Sequence, residues 1–361
     1  MKRIVVIFVL LVIIIVTFGI WQKDAIAPIV FIPIPEKDQE VIAENLNIPW
    51  EMVFLPDGSI LLTERPGNLV YINKTKQKIP IAGVEHKGES GLLGLALHPD
   101  FTTNHFIYLY LTTKTDGELK NRVERYTFAS NTVTNKQIVL DSIPGSSFHD
   151  GGRIAFGPDK KLYITTGDAG KSDNAQDVQS LAGKILRVND DGSVPSDNPF
   201  GNAVYSYGHR NPQGLAWDTA GTLWATEHGR SVPKSGFDEL NLIQAGRNYG
   251  WPIIQGNEVQ SDMEPPLAHS GEEDTWAPSG AVVMGNTLFF AGLRGQALYK
   301  ATLSGDHVQT ITAHLQEQFG RLRSVTLGPD KQLYILTNNT DGRGTPKAND
   351  DKILRINPEA L

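Results

Sequence analysis

Ile154-Ala155-Phe156-Gly157-Pro158-Asp159-Lys160-Lys161-Leu162-Tyr163-Ile164-Thr165-Thr166 reads as a strand, a tight turn and a second strand. Val325-Thr326-Leu327-Gly328-Pro329-Asp330-Lys331-Gln332-Leu333-Tyr334-Ile335-Leu336-Thr337 repeats it. Proline presets the turn backbone, aspartate caps it, and the branched and aromatic residues on either side favour extended chain. Looser copies start at Met52, Leu95, Leu215 and Ala281. A later strand is also duplicated, as Ile185-Leu186-Arg187-Val188-Asn189 and Ile353-Leu354-Arg355-Ile356-Asn357. Six unequal copies, each with room for three or four strands, predict an all-β fold: a six-bladed β-propeller with four-stranded antiparallel blades. Alternation along each second strand places large apolar side chains between blades. The last strand is expected to close the ring with a strand near residues 40 to 54. A β-sandwich would leave the repetition unexplained.

The chain has 361 residues, 40% of them hydrophobic, which suffices for a large core, and its 35 glycines and 21 prolines suit short strands and tight turns. A net charge of −7 argues against a nucleic-acid partner, since phosphate binding needs a basic face. The absence of cysteine removes thiol catalysis, disulfides and thiolate metal sites, leaving oxygen or imidazole ligands and favouring hard cations such as calcium. Lys2-Arg3 followed by the apolar run Ile4 to Ile20 predicts a hydrophobic N-terminal helix, acting as a signal peptide or membrane anchor over residues 1–27. A Pro-rich linker is expected over 28–41 and the propeller over 42–361. The protein is therefore expected to be exported, either secreted or tethered through residues 4–20.

In a propeller, loops from different blades converge at one end of the axis, so their polar residues are the place to look for chemistry. Ser147-Phe148-His149-Asp150-Gly151-Gly152-Arg153 and Ser206-Tyr207-Gly208-His209-Arg210-Asn211-Pro212-Gln213-Gly214 each run into a strand. His149 at a glycine-rich tip suits a general base, although a lone loop histidine equally suits a plain surface position. Arg210, Arg294, Arg321 and Arg323 occupy loop positions, and guanidiniums gathered in an acidic protein imply a ligand with several carboxylates or phosphates. Taken singly, such arginines are more often solvated or paired with a carboxylate. Asp238-Glu239-Leu240-Asn241 and Arg247-Asn248-Tyr249-Gly250-Trp251-Pro252 offer oxygen ligands for calcium without an EF-hand pattern. Asp168, in Gly167-Asp168-Ala169-Gly170, is read as a turn cap ahead of a metal ligand.

Gly88-Glu89-Ser90-Gly91-Leu92-Leu93-Gly94-Leu95-Ala96, His98-Pro99-Asp100-Phe101, His149-Asp150-Gly151-Gly152-Arg153 and Tyr207-Gly208-His209-Arg210-Asn211-Pro212-Gln213-Gly214 occur in that order. They are followed by Asp238-Glu239-Leu240-Asn241, Asn248-Tyr249-Gly250-Trp251-Pro252, Trp276-Ala277-Pro278-Ser279 and Arg321-Leu322-Arg323. Across residues 42 to 357 this series resembles the soluble pyrroloquinoline quinone-dependent sugar dehydrogenases, the glucose/sorbosone dehydrogenase family. The resemblance implies a six-bladed propeller that binds pyrroloquinoline quinone and oxidises an aldose at the anomeric carbon to the lactone. Hydride would pass to the quinone and electrons to an external acceptor. It implies His149 as catalytic base, with Glu89, Arg210, Asn211, Thr275, Arg294, Arg321 and Arg323 at cofactor-binding positions. It further implies calcium: the carbonyls of Gly229 and Arg230 beside the cofactor, and Glu239, Tyr249 and Asp238 at a second site. The protein would act as a monomer or homodimer on a small-molecule sugar.

Three positions depart from the pattern that the resemblance implies. Glu89 stands where glutamine is usual, and needs a compensating cation. Phe148 stands where aspartate precedes the histidine, so another group must orient the imidazole. Arg230 stands where proline is common, in a segment, Gly229 to Phe237, that is longer than expected. Two other readings are a calcium-dependent propeller lactonase or hydrolase and a non-catalytic propeller that serves as a binding module.

Overall fold

The two clearest repeats fold as read. Ile154–Phe156 pairs antiparallel with Leu162–Thr166, and Leu322–Leu327 with Leu333–Thr337. The aspartate of each turn does more than cap it. Asp159 Oδ1 accepts from Lys161 N at 3.1 Å, while Oδ2 accepts from Tyr163 Oη at 3.1 Å and Arg187 Nε at 2.9 Å. Asp330 repeats this with Gln332 N, Tyr334 Oη and Arg355 Nε at 3.2, 3.2 and 2.7 Å. One carboxylate thus ties the turn to the second and third strands, which is why Pro-Asp, Leu-Tyr and Leu-Arg recur together.

The computed structural model describes residues 38–231 and 236–361. Its sheets are six, each four-stranded and antiparallel, lying over 49–80, 92–144, 154–207, 212–269, 278–314 and 322–356. The sixth blade is completed by Gln39–Ala43, which pairs with Ile353–Ile356 and closes the ring. The propeller therefore starts at or before Gln39, inside the stretch expected to be linker. This strand is half-exposed and mixed in polarity, so its alternation is weak. Among the described residues, helix is confined to Phe101–Asn104 and the 3-10 turns Ser172–Ala175 and Pro358–Ala360. None is long and apolar enough to cross a membrane. The expected N-terminal helix, and the linker up to residue 37, lie outside the described residues.

The first strands of the blades, such as Pro49–Phe54, Leu92–Leu97 and Pro278–Met284, pack against their neighbours around a common axis. Second strands are buried on both faces, as at Leu162–Thr166 and Leu333–Thr337. Apolar side chains fill the junctions: Phe289, Leu298, Leu322, Leu333 and Ile335 between the fifth and sixth blades, and Tyr108, Val123, Ile154, Ile164 and Leu186 between the second and third. Burying each such side chain is worth about 1.5–3 kcal/mol. The loops leading into the first strands and the turns joining second to third strands emerge at one end, which is where the candidate residues lie.

Candidate functional site

His149 precedes the first strand of the third blade, with its backbone in the left-handed region at φ 59°. Neighbouring loops hold it there. Its N–H donates to Glu89 Oε2 at 3.0 Å, and its carbonyl accepts from Ala169 N at 3.2 Å. A Cβ on Gly167 would lie 2.0 Å from that carbonyl oxygen, so only glycine lets this loop approach. His149 Nδ1 lies 2.8 Å from Asp168 Oδ1, while Asp168 Oδ2 accepts from Trp251 Nε1 at 3.0 Å and Oδ1 also from Gly170 N at 2.8 Å. Burial pushes the Asp168 carboxyl up, but the bonds from His149, Gly170 and Trp251 outweigh it and hold the group below its usual value. An ionised Asp168 must accept, so Nδ1 carries the proton, and in the neutral ring Nε2 is the nitrogen left with a lone pair. Asp168 thus orients the His149 imidazole, filling the place that Phe148 left unassigned.

The loop that carries Asp168 is braced from below. Lys184 is fully buried, and its Nζ donates to the carbonyls of Asn174, Ala175 and Ala182 at 2.7, 3.0 and 2.7 Å. Asn174 Nδ2 in turn donates to the Asp168 carbonyl at 3.1 Å.

Glu89 has its compensating cation. Arg343, on the loop after the second strand of the sixth blade, pairs with Glu89 Oε1. Burial raises this carboxyl, but Arg343 and the His149 N–H overcome it and hold it down to about 2. Nothing local in sequence marks Arg343, because its partner is 254 positions away.

The other predicted residues fall around this pair. The Arg210 carbonyl accepts from Asp168 N at 2.8 Å, its Nη2 reaches Ser231 Oγ at 3.1 Å, and its guanidinium lies 5.3 Å from the Trp251 ring centre. Asn211 Oδ1 accepts from Gly151 N at 3.0 Å. Arg321 Nη2 pairs with Asp341 at 2.9 Å. Arg323 sits deeper, its nitrogens engaged by Asn338, Gln213 and Ser279. Beside it the buried Arg153 pairs with Glu51 and lies 4.2 Å from the Trp50 ring centre, which makes a polar plug along the axis. Burial, then the nearby Arg65, lowers Arg323 to about 9. Arg294 is exposed on the turn before Leu298–Ser304. Thr275 donates to Asp238 Oδ2 at 2.6 Å and so braces a loop. Sequence reading missed Arg65, whose Nη2 donates to the Gly88 carbonyl at 2.6 Å, and the partly buried His228, which burial lowers to about 4 and so keeps neutral.

Buried atoms of this cluster without a hydrogen-bond partner among the described residues include Arg65 Nε, Arg210 Nε, Asn211 Nδ2, His228 Nε2 and Arg321 Nε, with Asp150 Oδ2 and Arg153 Nη2 beside them. Buried polar groups are rarely left so, and these are mostly donors on cationic or amide groups. The set fits an anionic ring with several carboxylates and carbonyls, as pyrroloquinoline quinone has.

Calcium fits less well. Both Asp238 oxygens are taken, by Gly229 N at 2.8 Å and by Thr275 Oγ1 and Ala277 N at 2.6 and 2.8 Å. The Arg230 carbonyl accepts from Gly236 N at 3.2 Å, and the Tyr249 hydroxyl bonds to Leu242 O and Gln244 N at 2.6 and 2.9 Å. Among the described residues no three histidine or acidic side chains converge on one point. Of these candidates Glu239 is the one whose charged form is disfavoured: burial and the facing Glu227 push its carboxyl well up, against one bond from Asn241 Nδ2 at 2.9 Å.

The glucose/sorbosone dehydrogenase family matches residues 46–354. The aldose sugar dehydrogenase YliI of Escherichia coli K12 is 33% identical over 88% of this chain and 92% of its own length. Quinoprotein glucose dehydrogenase B of Acinetobacter calcoaceticus is 40% identical over 62% of this chain and 54% of its own. The PQQ-bound structure of the aldose sugar dehydrogenase from Streptomyces coelicolor superposes with a TM-score of 0.82 at 40% identity, covering 88% of this chain and 97% of that one.

Proposed function

On the premise that this chain belongs to the glucose/sorbosone dehydrogenase family, with a quinoprotein glucose dehydrogenase and an aldose sugar dehydrogenase among its relatives, we propose that it oxidises aldoses at the anomeric carbon to lactones and passes the electrons to an external acceptor. When bound, pyrroloquinoline quinone supplies the hydride acceptor. His149 Nε2 takes the proton of the anomeric hydroxyl, and Asp168 holds the ring on Nδ1 and balances the charge that the imidazole gains. Arg210, Asn211 and Arg321 would hold the cofactor's carboxylates and carbonyls through their unpartnered nitrogens, with Thr275, Arg294 and Arg323 as further contacts on the family resemblance alone. Arg343 neutralises Glu89, so that a carboxylate beside an anionic cofactor costs little. Calcium enters this proposal only as an ion near Glu239, and no step depends on it. Export, with a tether through residues 4–20, rests on the N-terminal sequence alone.

The observation that carries the proposal is the set of buried donors without partners, together with a histidine oriented by Asp168. Titrating purified protein with pyrroloquinoline quinone tests it. One equivalent is expected to bind, and Arg210→Ala and Arg321→Ala are each expected to weaken binding roughly tenfold or more, the value of a hydrogen bond to a charged group. Equal affinity in all three proteins would remove this pocket assignment.

A further inference from the structure

Among the described residues Phe148 is one of few large apolar residues left in solvent, with 42% of its surface exposed, and it adjoins His149. Its ring centre lies 4.9 Å from that of His149 at an interplanar angle of 87°. The ring also has a fitted seat. A Cβ on Gly170 would lie 2.7 Å from Phe148 Cε2 and 2.8 Å from Cζ, so the glycine makes room for it. Gly170 is held in turn by its N–H to Asp168 Oδ1. The exposed ring and the base are thus fixed by the same carboxylate.

We propose that Phe148 is the platform on which the pyranose ring of the substrate stacks, an inference that rests on the aldose dehydrogenase reading and names how the sugar is held. The phenyl ring stands edge to face with the imidazole, so a sugar whose anomeric hydroxyl reaches His149 Nε2 has an exposed aromatic ring within its own length. A pyranose has a polar rim and C–H faces, and an aromatic ring takes a C–H face while offering nothing to a hydroxyl. The platform therefore selects for an aldose with one flat apolar face, and reads the configuration of individual hydroxyls weakly. It stays half-open to solvent until the sugar covers it.

The test uses holoprotein, with steady-state dye reduction on glucose, galactose, mannose and xylose, and with sugar binding followed separately by saturation-transfer NMR. Phe148→Ala is expected to raise KM about tenfold for all four sugars with kcat within about twofold, as expected for losing part of the burial of one aromatic ring. Phe148→Tyr and Phe148→Trp are expected to restore KM, which a purely structural role would not require. If dye reduction proceeds and KM is unchanged in Phe148→Ala, or the aromatic variants fail as badly as alanine, the platform is wrong and the dehydrogenase reading stands. Sugar that binds the wild type through Phe148 without any dye reduction would keep the platform and sink that reading. Neither binding nor reduction would overturn both.

Discussion

Asp168 has two roles where its sequence context signals one. Gly167-Asp168-Ala169-Gly170 reads as a capped turn, and Asp168 does cap it, through Gly170 N. The same carboxylate also orients His149, a pairing across 19 residues and two loops that no local pattern reveals. Asp168→Asn keeps the shape but loses the charge that fixes the imidazole tautomer. Turnover is expected to fall about 10²-fold or more while affinity for the quinone changes little, and parallel kinetics and titrations check this. Asp150, the next residue after the base, makes a different prediction. Burial pushes its carboxyl up to about 7 against bonds from Asn121 Nδ2 and Ser146 N. The unfolded chain releases this proton near pH 4. Between about pH 4 and 7 the folded state therefore holds a proton that the unfolded state has lost, and stability falls as pH rises through that window. Asp150→Asn is expected to remove up to about 1.4 kcal/mol per pH unit of that slope, seen as a flatter denaturation profile from pH 4 to 7.

Loops and strands differed in how much of them the sequence revealed. The paired strands were legible because Gly-Pro-Asp followed by Leu-Tyr encodes a turn and the Tyr–Asp–Arg tie around it, visible twice in full. The closing strand Gln39–Ala43 was only half legible, since an exposed edge strand needs little apolar alternation. The loop carboxylates were the hardest. Asp238 looked like a calcium ligand, yet hydrogen bonds from Gly229, Thr275 and Ala277 occupy it as a loop brace. Asp and Glu in loops serve both purposes, and only the partner decides. Glu239, pushed up by burial and by Glu227, is where a cation would relieve repulsion. Calcium is accordingly expected to raise the melting temperature of the wild type and to leave that of Glu239→Gln unchanged, because an ion that binds only the folded state stabilises by mass action. The same response in both proteins would take the ion out of this region.

Six blades bring Glu89, His149, Asp168, Arg210, Arg321 and Arg343 together from loops spread over more than two hundred residues. The propeller was readable because each blade depends on a short motif, and so was the place of His149 among the converging loops. The charge balance was not: Arg343 cancels Glu89 and Asp341 meets Arg321 only once the ring closes. In a chain of net charge −7, the arginines that remain with unpartnered nitrogens form a local cationic site within an acidic protein. Such a site attracts a multiply charged anion, and the oriented histidine beside it gives that anion something to do. The direct test is aldose-dependent dye reduction by protein reconstituted with pyrroloquinoline quinone, wild type against His149→Ala. The account predicts turnover in the wild type and a loss of about 10²–10⁴-fold in the variant with the cofactor still bound. Turnover in His149→Ala equal to that of the wild type, or none in a wild type saturated with the quinone, would contradict it.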